Sequence, residues 1–337
     1  MVKNIITAVL LFTACACVHA QVGGQRSYEF MNVPASALIT SVGGVNVSLR
    51  NTDLNLVYNN PALASDTLSG FVSFNYLNYF AGSYALSFIY QHDLGKYGHW
   101  AIGARHFDYG SFESYDPGGA SLGEVDASDN VIFISRAHTI NSITLGATIK
   151  FINSDIAGFA SNALAMDIGG SFQHPKKQLS AGLVVRNFGI VLSDYNPDSK
   201  SRLPFDVQIG ASFKPQHMPL RFSFTGYNLY KGDIAYADVD QGDPEPGAFD
   251  KIFRHIAVGA ELLLTKNVNL RFGYNHLIRQ ELKVDGASGG AGFSFGLMAK
   301  VKAFEFAYGR GGYHAAGGTH NFTLTANTNL FFKNQIN

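Results

Sequence analysis

Past residue 20 the chain has no cysteine, since both thiols among its 337 residues, Cys15 and Cys17, lie near the start. A disulfide-stapled fold and a thiol-ligated metal site are excluded for everything that follows them. Nor does any later apolar run approach the ~18 to 20 residues that a membrane-crossing helix requires. Charge is scarce: 15% of residues are charged and the formal net charge is +0, with no basic run, so the electrostatic footprint of a nucleic-acid binder is missing. A helix carrying two histidines at metal-ligand spacing is also absent, although the chain has 11 His.

The first twenty residues read as a secretion signal. Lys3 supplies the basic end, Ile5 to Ala14 the apolar stretch, and Val18-His19-Ala20 a small-residue cleavage site ahead of Gln21. Cleavage there removes both cysteines. An alternative is a lipoprotein acylated at Cys15 after Phe12-Thr13-Ala14, with phenylalanine standing where an aliphatic is usual.

In place of thiols and long apolar runs the chain has 36 Gly, 27 Phe and 16 Tyr, a mixture that suits many pleated, tightly turned strands. Alternation is the dominant pattern. Ile143, Leu145, Ala147, Ile149 and Phe151 hold one parity against Thr144, Gly146, Thr148 and Lys150, and Val207, Ile209, Ala211 and Phe213 oppose Asp206, Gln208 and Ser212. The same period runs through Leu164 to Phe172, Leu220 to Thr225, Val268 to Tyr274, and Asn321 to Phe332. From Phe71 to Phe332 it predicts about fourteen strands, an even number as in bacterial barrels. Tight connections (Asp93 to Tyr97, Thr139 to Asn141, Pro175 to Lys177, Lys214 to Met218, Thr265 to Asn267, around Val301) alternate with long ones. The long ones are predicted over Gly110 to Ser128, Asn153 to Ser161, Gly189 to Leu203, Lys231 to Lys251, His276 to Ser288 and Gly311 to Thr319.

The expected fold is therefore all-β, a transmembrane antiparallel barrel of about 14 strands. Its expected parts are a signal peptide at 1–20, an N-terminal plug segment at 21–68 and the barrel at 69–337. Aromatic pairs Phe205/Phe213 and Phe322/Phe332 are expected to bracket strands roughly 20 to 25 Å tall, the height of an apolar band between girdles. A soluble sandwich also alternates and is the main structural rival. The outer membrane is the expected location, with long loops outside the cell and both termini in the periplasm.

No catalytic constellation is present in the pattern. His174 and His217 fall in predicted turns, and Gly309, Gly311, Gly312, Gly317 and Gly318 lie between two strands, so they read as a pliable outer loop instead of a phosphate cradle. Asp238, Asp240 and Asp243 alternate at a glycine turn, as calcium ligands can, but their spacing departs from the EF-hand loop. A solvated acidic loop is the simpler account, so no cofactor is expected. Arg105, Lys150, Asp167, Arg186, Asp206, Arg221, Glu261, Arg271 and Glu305 fall on the luminal parity, where they either pair with one another or line a polar path.

Residues 23–64 are less barrel-like. They contain Gly23-Gly24, Tyr28-Glu29-Phe30, Asn32-Val33-Pro34-Ala35-Ser36-Ala37, Gly43-Gly44 and Asn60-Pro61-Ala62. This order resembles the FadL-like barrels, where an N-terminal plug precedes an Asn-Pro-Ala turn, and within them the PorQ family of the Bacteroidota type IX secretion system. The resemblance implies a non-enzymatic barrel of the attachment complex. Such a barrel holds a PorZ-like surface protein, in a complex with PorU and PorV that joins cargo to anionic lipopolysaccharide. Loop tyrosines Tyr115, Tyr195, Tyr230 and Tyr236 are the candidate partner anchors. The alternative is a FadL-type transporter of hydrophobic small molecules, in which an apolar luminal stripe would receive the ligand. Val184 and Met298 are the apolar residues on a luminal parity otherwise made of Gly, Ser, Thr and charge.

Overall fold

The computed structural model describes residues 27–50, 52–198, 200–235, 246–282, 289–314 and 317–332. Fourteen antiparallel strands close a barrel in which every strand pairs with its sequence neighbours and the first pairs with the last. They are β1 (Phe71–Asn78), β2 (Tyr84–Asp93), β3 (His99–Tyr115), β4 (Ser121–Ile140), β5 (Ile143–Ile156), β6 (Phe159–Gln173) and β7 (Leu179–Ser193), followed by β8 (Asp206–Phe213), β9 (Leu220–Gly226), β10 (Ile256–Leu263), β11 (Val268–Asn275), β12 (Phe293–Val301), β13 (Phe304–His314) and β14 (Gly317–Asn327). Four short helices accompany them: α1 (Ala37–Ser41), α2 (Ala248–Arg254), α3 (His276–Leu282) and α4 (Asn329–Phe332).

The period of two sorts the side chains as the sequence predicts, with the polarity of a membrane protein. Ile143, Leu145, Ile149, Ile168, Ile209, Phe224, Phe272 and Phe306 are exposed on the outside, whereas Thr144, Thr148, Lys150, Asp167, Gln208 and Ser212 are buried inside. A water-soluble sandwich would do the reverse, because exposed apolar area costs about 25 cal/mol per Å² in water. Closure leaves no sheet edge unpaired, the condition for strands in hydrocarbon. The fold is that of an outer-membrane barrel.

One rim carries only tight connections, as expected. The other departs from expectation: three of its predicted long loops are largely strand, because backbone pairing between neighbours continues where the apolar set stops. β3 and β4 run up to Tyr115 and from Ser121, and β5 and β6 meet at a two-residue turn with left-handed Ala157 (φ 54°) and Gly158 (φ 83°). Gly309, Gly311 and Gly312 belong to β13, and Gly317 and Gly318 to β14, so they are sheet and not a pliable loop. The wall is consequently uneven, with β3 to β7 having 14 to 20 residues and β8 to β12 only 7 to 9.

At the C-terminal end β14 stops at Asn327, and residues 329–332 turn into α4 instead of continuing the strand to Phe332. The Asn327 side chain accepts the Asn329 N–H at 3.1 Å, and Asn329 Nδ2 donates to the Ser69 carbonyl at 2.8 Å, so the chain folds back under the start of β1. Of the four rings expected in the girdles, Phe213 (44% exposed) and Phe322 (49%) face outward from β8 and β14, Phe322 stacked on Tyr76 at 6.5 Å, while the other two lie outside the strands. Phe205 precedes β8 and packs edge-on against Tyr230 at 5.2 Å. The outward rings at the short-turn rim include Trp100, with the Arg136 guanidinium 5.6 Å above it, and at the other rim Tyr76 with Tyr84 (6.2 Å) and Tyr274 with Phe293 (5.0 Å).

The depth of the lipid-facing band is measurable on one strand. Ile149→Arg, half way up the outer face of β5, is expected to destabilise the barrel in phospholipid vesicles by about 2–4 kcal/mol, and Ile143→Arg at the rim by about 0–1 kcal/mol. Urea titration of heat-modifiable folded protein reads both, and equal costs would contradict the band.

Candidate functional site

Residues 27–50 and 52–68 lie within the barrel. The Ser27 N–H donates to the Arg202 carbonyl (3.0 Å) in the β7–β8 connection, and the Tyr28 hydroxyl meets Ser161 Oγ (2.5 Å) at the top of β6. At the far end the Gly70 N–H donates to Gln91 O (2.8 Å) beside the short turns. The segment thus traverses the lumen from the long-loop rim to the short-turn rim. The first described residues stand at the long-loop rim and residues 329–332 beside the start of β1 at the short-turn rim, because the plug runs down the lumen and supplies β1 from below.

Its seat is made of inward residues with little or no side chain. Ser36 caps α1 by accepting the Ile39 N–H (3.4 Å), and the whole helix is buried against β11 to β14. A Cβ on Gly296 would lie 2.0 Å from Ser41 Oγ, and one on Gly309 2.3 Å from the Ala37 carbonyl. Gly309, read from sequence as part of a loop, therefore forms with Gly296 the socket of α1. The left-handed turn at Gly43 (φ 95°) and Gly44 (φ 85°) brings the chain to β11, where Asn275 Nδ2 donates to Gly43 O (3.0 Å). Ser48 then meets Ser212 on β8 (2.6 Å), and its carbonyl accepts the Ser180 hydroxyl of β7 (2.6 Å).

The Asn60-Pro61-Ala62 motif staples this descending limb to the limb that returns. Asn60 Oδ1 accepts the Ala62 N–H (3.0 Å), holding a single 3-10 turn that Pro61 opens, while its Nδ2 donates to Val47 O (3.0 Å) and more weakly to Gly170 O (3.4 Å) of β6. Gly146, Gly169 and Gly182 admit the staple: added Cβ atoms there would sit 2.6 Å from the Pro61 carbonyl carbon, 2.0 Å from Asn60 Oδ1 and 1.9 Å from Val47 O. A second polar group ties Asn55 to Ser73 (2.9 Å) and Asn75 (2.7 Å) on β1, and Asn75 to Thr323 (2.6 Å) on β14.

The luminal charges fall into two groups and mostly pair. Lys150 Nζ is 2.6 Å from Asp167, both fully buried, and it also donates to Asn187 Oδ1 (2.8 Å). Asn187 takes a left-handed conformation (φ 55°) beside the register shift of β6 and β7, and its N–H donates to Asp167 (2.8 Å). Three cations surround the Tyr58 ring: Lys150 at 4.9 Å, Arg186 at 5.8 Å and Arg105 at 5.9 Å. Arg105 donates to the carbonyls of Val33 (2.7 Å) and Pro34 (3.3 Å), so the wall grips plug backbone with its charges. Near the short-turn rim Glu261 lies 3.2 Å from both Arg221 and Arg271. Tyr58 and Asn187 were not singled out from sequence; an asparagine at an otherwise apolar-polar strand position is the one local signal for the latter.

Above the plug, at the long-loop mouth, is a cavity of about 460 Å³. Phe30, Met31, Phe107, Leu277, Ile278 and Tyr313 supply apolar walls, and Arg186, Asp206 and Gln208 a polar side. Val184 and Met298 are buried on the luminal face as expected, but neither lines this cavity.

The candidate tyrosines separate. Tyr115 is exposed at the tip of β3, whereas the Tyr195 hydroxyl donates to Ser154 Oγ (2.6 Å) and its ring is half-buried. Tyr230 packs on Phe205, and Tyr236, Asp238, Asp240 and Asp243 lie outside the described residues. His174 and His217 are in turns, and among the described residues no group of three His, Cys, Asp or Glu is placed to hold a metal.

Gly182→Val is expected to unseat the plug while the barrel still forms, seen as faster amide exchange over residues 44–62 with heat-modifiability intact. Gly170→Val, whose side chain would point outward toward Leu145 Cδ2 at 3.6 Å, is the control that leaves exchange unchanged. Asn60→Ala should cost about 0.5–2 kcal/mol of local stability by the same measurement.

No family model matches the chain, and no curated protein matches it. Among solved structures it is similar to the CymD monoaromatic hydrocarbon channel at 12% identity, over 87% of this chain and 96% of that one, with a TM-score of 0.46. It is also similar to a deltaS2 mutant of the TodX monoaromatic hydrocarbon channel (13% identity, 86% and 96% covered, TM-score 0.43). A Pseudomonas aeruginosa FadL homologue is a further similar barrel (10% identity, 87% and 98% covered, TM-score 0.44).

Proposed function

We propose that this protein is a non-enzymatic outer-membrane barrel that works by binding at its long-loop end, carrying a surface protein on the tall β3 to β7 wall. The observation behind this reading is the height of that wall. Strands of 14 to 20 residues, tilted near 40°, stand roughly 35 to 50 Å tall, against an apolar band of about 25 Å. Their upper ends therefore rise into water, yet they present Phe112, Tyr115 (57% exposed), Leu122 (67%) and Phe159. Exposed apolar groups held on paired strands above the membrane fit a protein interface better than bare solvent.

A lumen occupied by a hydrogen-bonded plug suits a carrier of partners, since its contacts with the wall hold whether or not anything passes. On the resemblance of residues 23–64 to the PorQ family, the proposed partner is a PorZ-like surface protein. The proposed setting is the type IX secretion attachment complex with PorU and PorV, acting on cargo bound for anionic lipopolysaccharide.

The mouth cavity favours a second reading, a FadL-type transporter of hydrophobic small molecules. Its lining combines apolar side chains with polar ones, Arg186, Asp206 and Gln208 among them, as small-molecule pockets do. Passage would then require the plug to leave the sockets at Gly146, Gly169 and Gly182. The hydrocarbon channels named above carry the kind of ligand this second reading supposes.

Affinity purification from the native outer membrane separates the two. Wild-type protein should retain a large surface protein through a high-salt wash, and Tyr115→Ser/Leu122→Ser, equally folded, should retain at least tenfold less. Recovery of the wild-type barrel alone, with an extractable apolar ligand, would overturn the scaffold and support transport.

A further inference from the structure

The short half of the wall poses a separate problem. Strands of 7 to 9 residues from β8 to β12 reach roughly 18 to 23 Å at the same tilt, less than the apolar band of about 25 Å. Directly above them lies α2, whose Phe249, Ile252 and Phe253 are 80%, 59% and 51% exposed. These positions, spaced i, i+3 and i+4, make one helix face.

The opposite face is polar and fixed to the barrel. Asp250 accepts from Arg254 Nε (2.7 Å) and lies 2.8 Å from His276 Nε2, while Lys251 lies 2.8 Å from Asp233. With its charges answered on the inner side, the helix can present its apolar face to hydrocarbon without carrying an unpaired charge along.

That face also joins the lipid-facing wall without a break. Phe253 packs edge-on against His276 (6.1 Å), whose Nδ1 meets the Tyr274 hydroxyl (2.9 Å), and Tyr274 packs against Phe293 (5.0 Å). Tyr274 and Phe293 share the outward parity of exposed Phe272 and Phe295. On the β8 side, exposed Leu229 donates its N–H to Val207 O (3.2 Å) and reaches the outer face beside Ile209, since a Cβ on Gly226 would meet both side chains at 3.5 Å.

We propose that α2 with Leu229 forms a membrane-inserted collar, seated at the acyl-chain boundary of the leaflet on the long-loop side, that completes the hydrophobic height of the short wall. Its occupant is lipid. The collar rests on the barrel fold alone and stands whichever reading of the function holds.

The chain contains a single tryptophan, Trp100, which makes the test clean. In a Trp100→Phe background, Phe249→Trp and, as an aqueous reference, Tyr115→Trp are reconstituted separately in phosphatidylcholine vesicles with or without brominated acyl chains. The collar requires that the Phe249→Trp probe lose most of its emission to brominated lipid and little to iodide, with the reverse at the Tyr115→Trp tip. Quenching of Phe249→Trp by iodide without bromine quenching overturns the proposal, as does protection from both, which would mean a protein cover. A second readout is Phe249→Ser/Ile252→Ser/Phe253→Ser: its loss of stability relative to wild type should be larger in long-chain than in short-chain bilayers, and equal loss in both overturns the collar.

Discussion

A strand in hydrocarbon has no water to satisfy its backbone, so the pairing of β1 with β14 is the interaction on which everything else in this molecule depends. Closure forces the side chains to choose between lipid and lumen, and the period of two makes the choice for each strand as a unit. Once Ile149 and Ile209 face lipid, Lys150 and Gln208 have nowhere to go but inside. The interior therefore starts with buried polar groups that need partners, and their desolvation is a cost the fold must offset.

The plug answers that need, and its effect is reciprocal. Arg105 finds the carbonyls of Val33 and Pro34, Asn75 finds Asn55, and Lys150 and Arg186 flank Tyr58. In return the plug, which has scarcely any regular structure of its own, obtains from the wall the hydrogen bonds its backbone lacks. Such close contact is possible only where the wall has no side chain. That explains why Gly146, Gly169, Gly182, Gly296 and Gly309 fall on inward positions of five different strands.

Much of this was legible in the sequence, and the boundary of legibility has a physical cause. Alternation reports which face a residue takes and so yielded the barrel, the strand number and the luminal charges. It does not report where the membrane ends. Residues 110–128 and 153–161 lose the period of two, with Phe112 and Tyr115, Leu122 and Val125, and Ile156 and Phe159 each three apart, and so read as loops although backbone pairing continues through most of them. Asn327 ends β14 through a side-chain cap that no periodicity reveals, which is why Phe332 was assigned to the strand. Within the plug, the Asn60-Pro61-Ala62 turn was visible as a motif, but its partners Val47 and Gly170 are 13 and 110 residues away along the chain. Tyr195 illustrates the same limit: nothing in the sequence near it shows that its hydroxyl donates to Ser154, 41 residues away.

Uneven wall height then links fold to function. A barrel of equal strands would meet both leaflets alike and present only loops to the outside. Here the long strands are five consecutive members, β3 to β7, and two helices, α2 and α3, occupy the connections above the short ones. The tall side carries rigid, sheet-paired apolar groups away from the lipid, where ordering them for an interface costs little additional entropy. The short side keeps its apolar rim, α2 included, at the level where the tall side is still in the membrane. One molecule thus has two kinds of exposed hydrophobic surface, told apart by their height along the barrel axis and not by their composition.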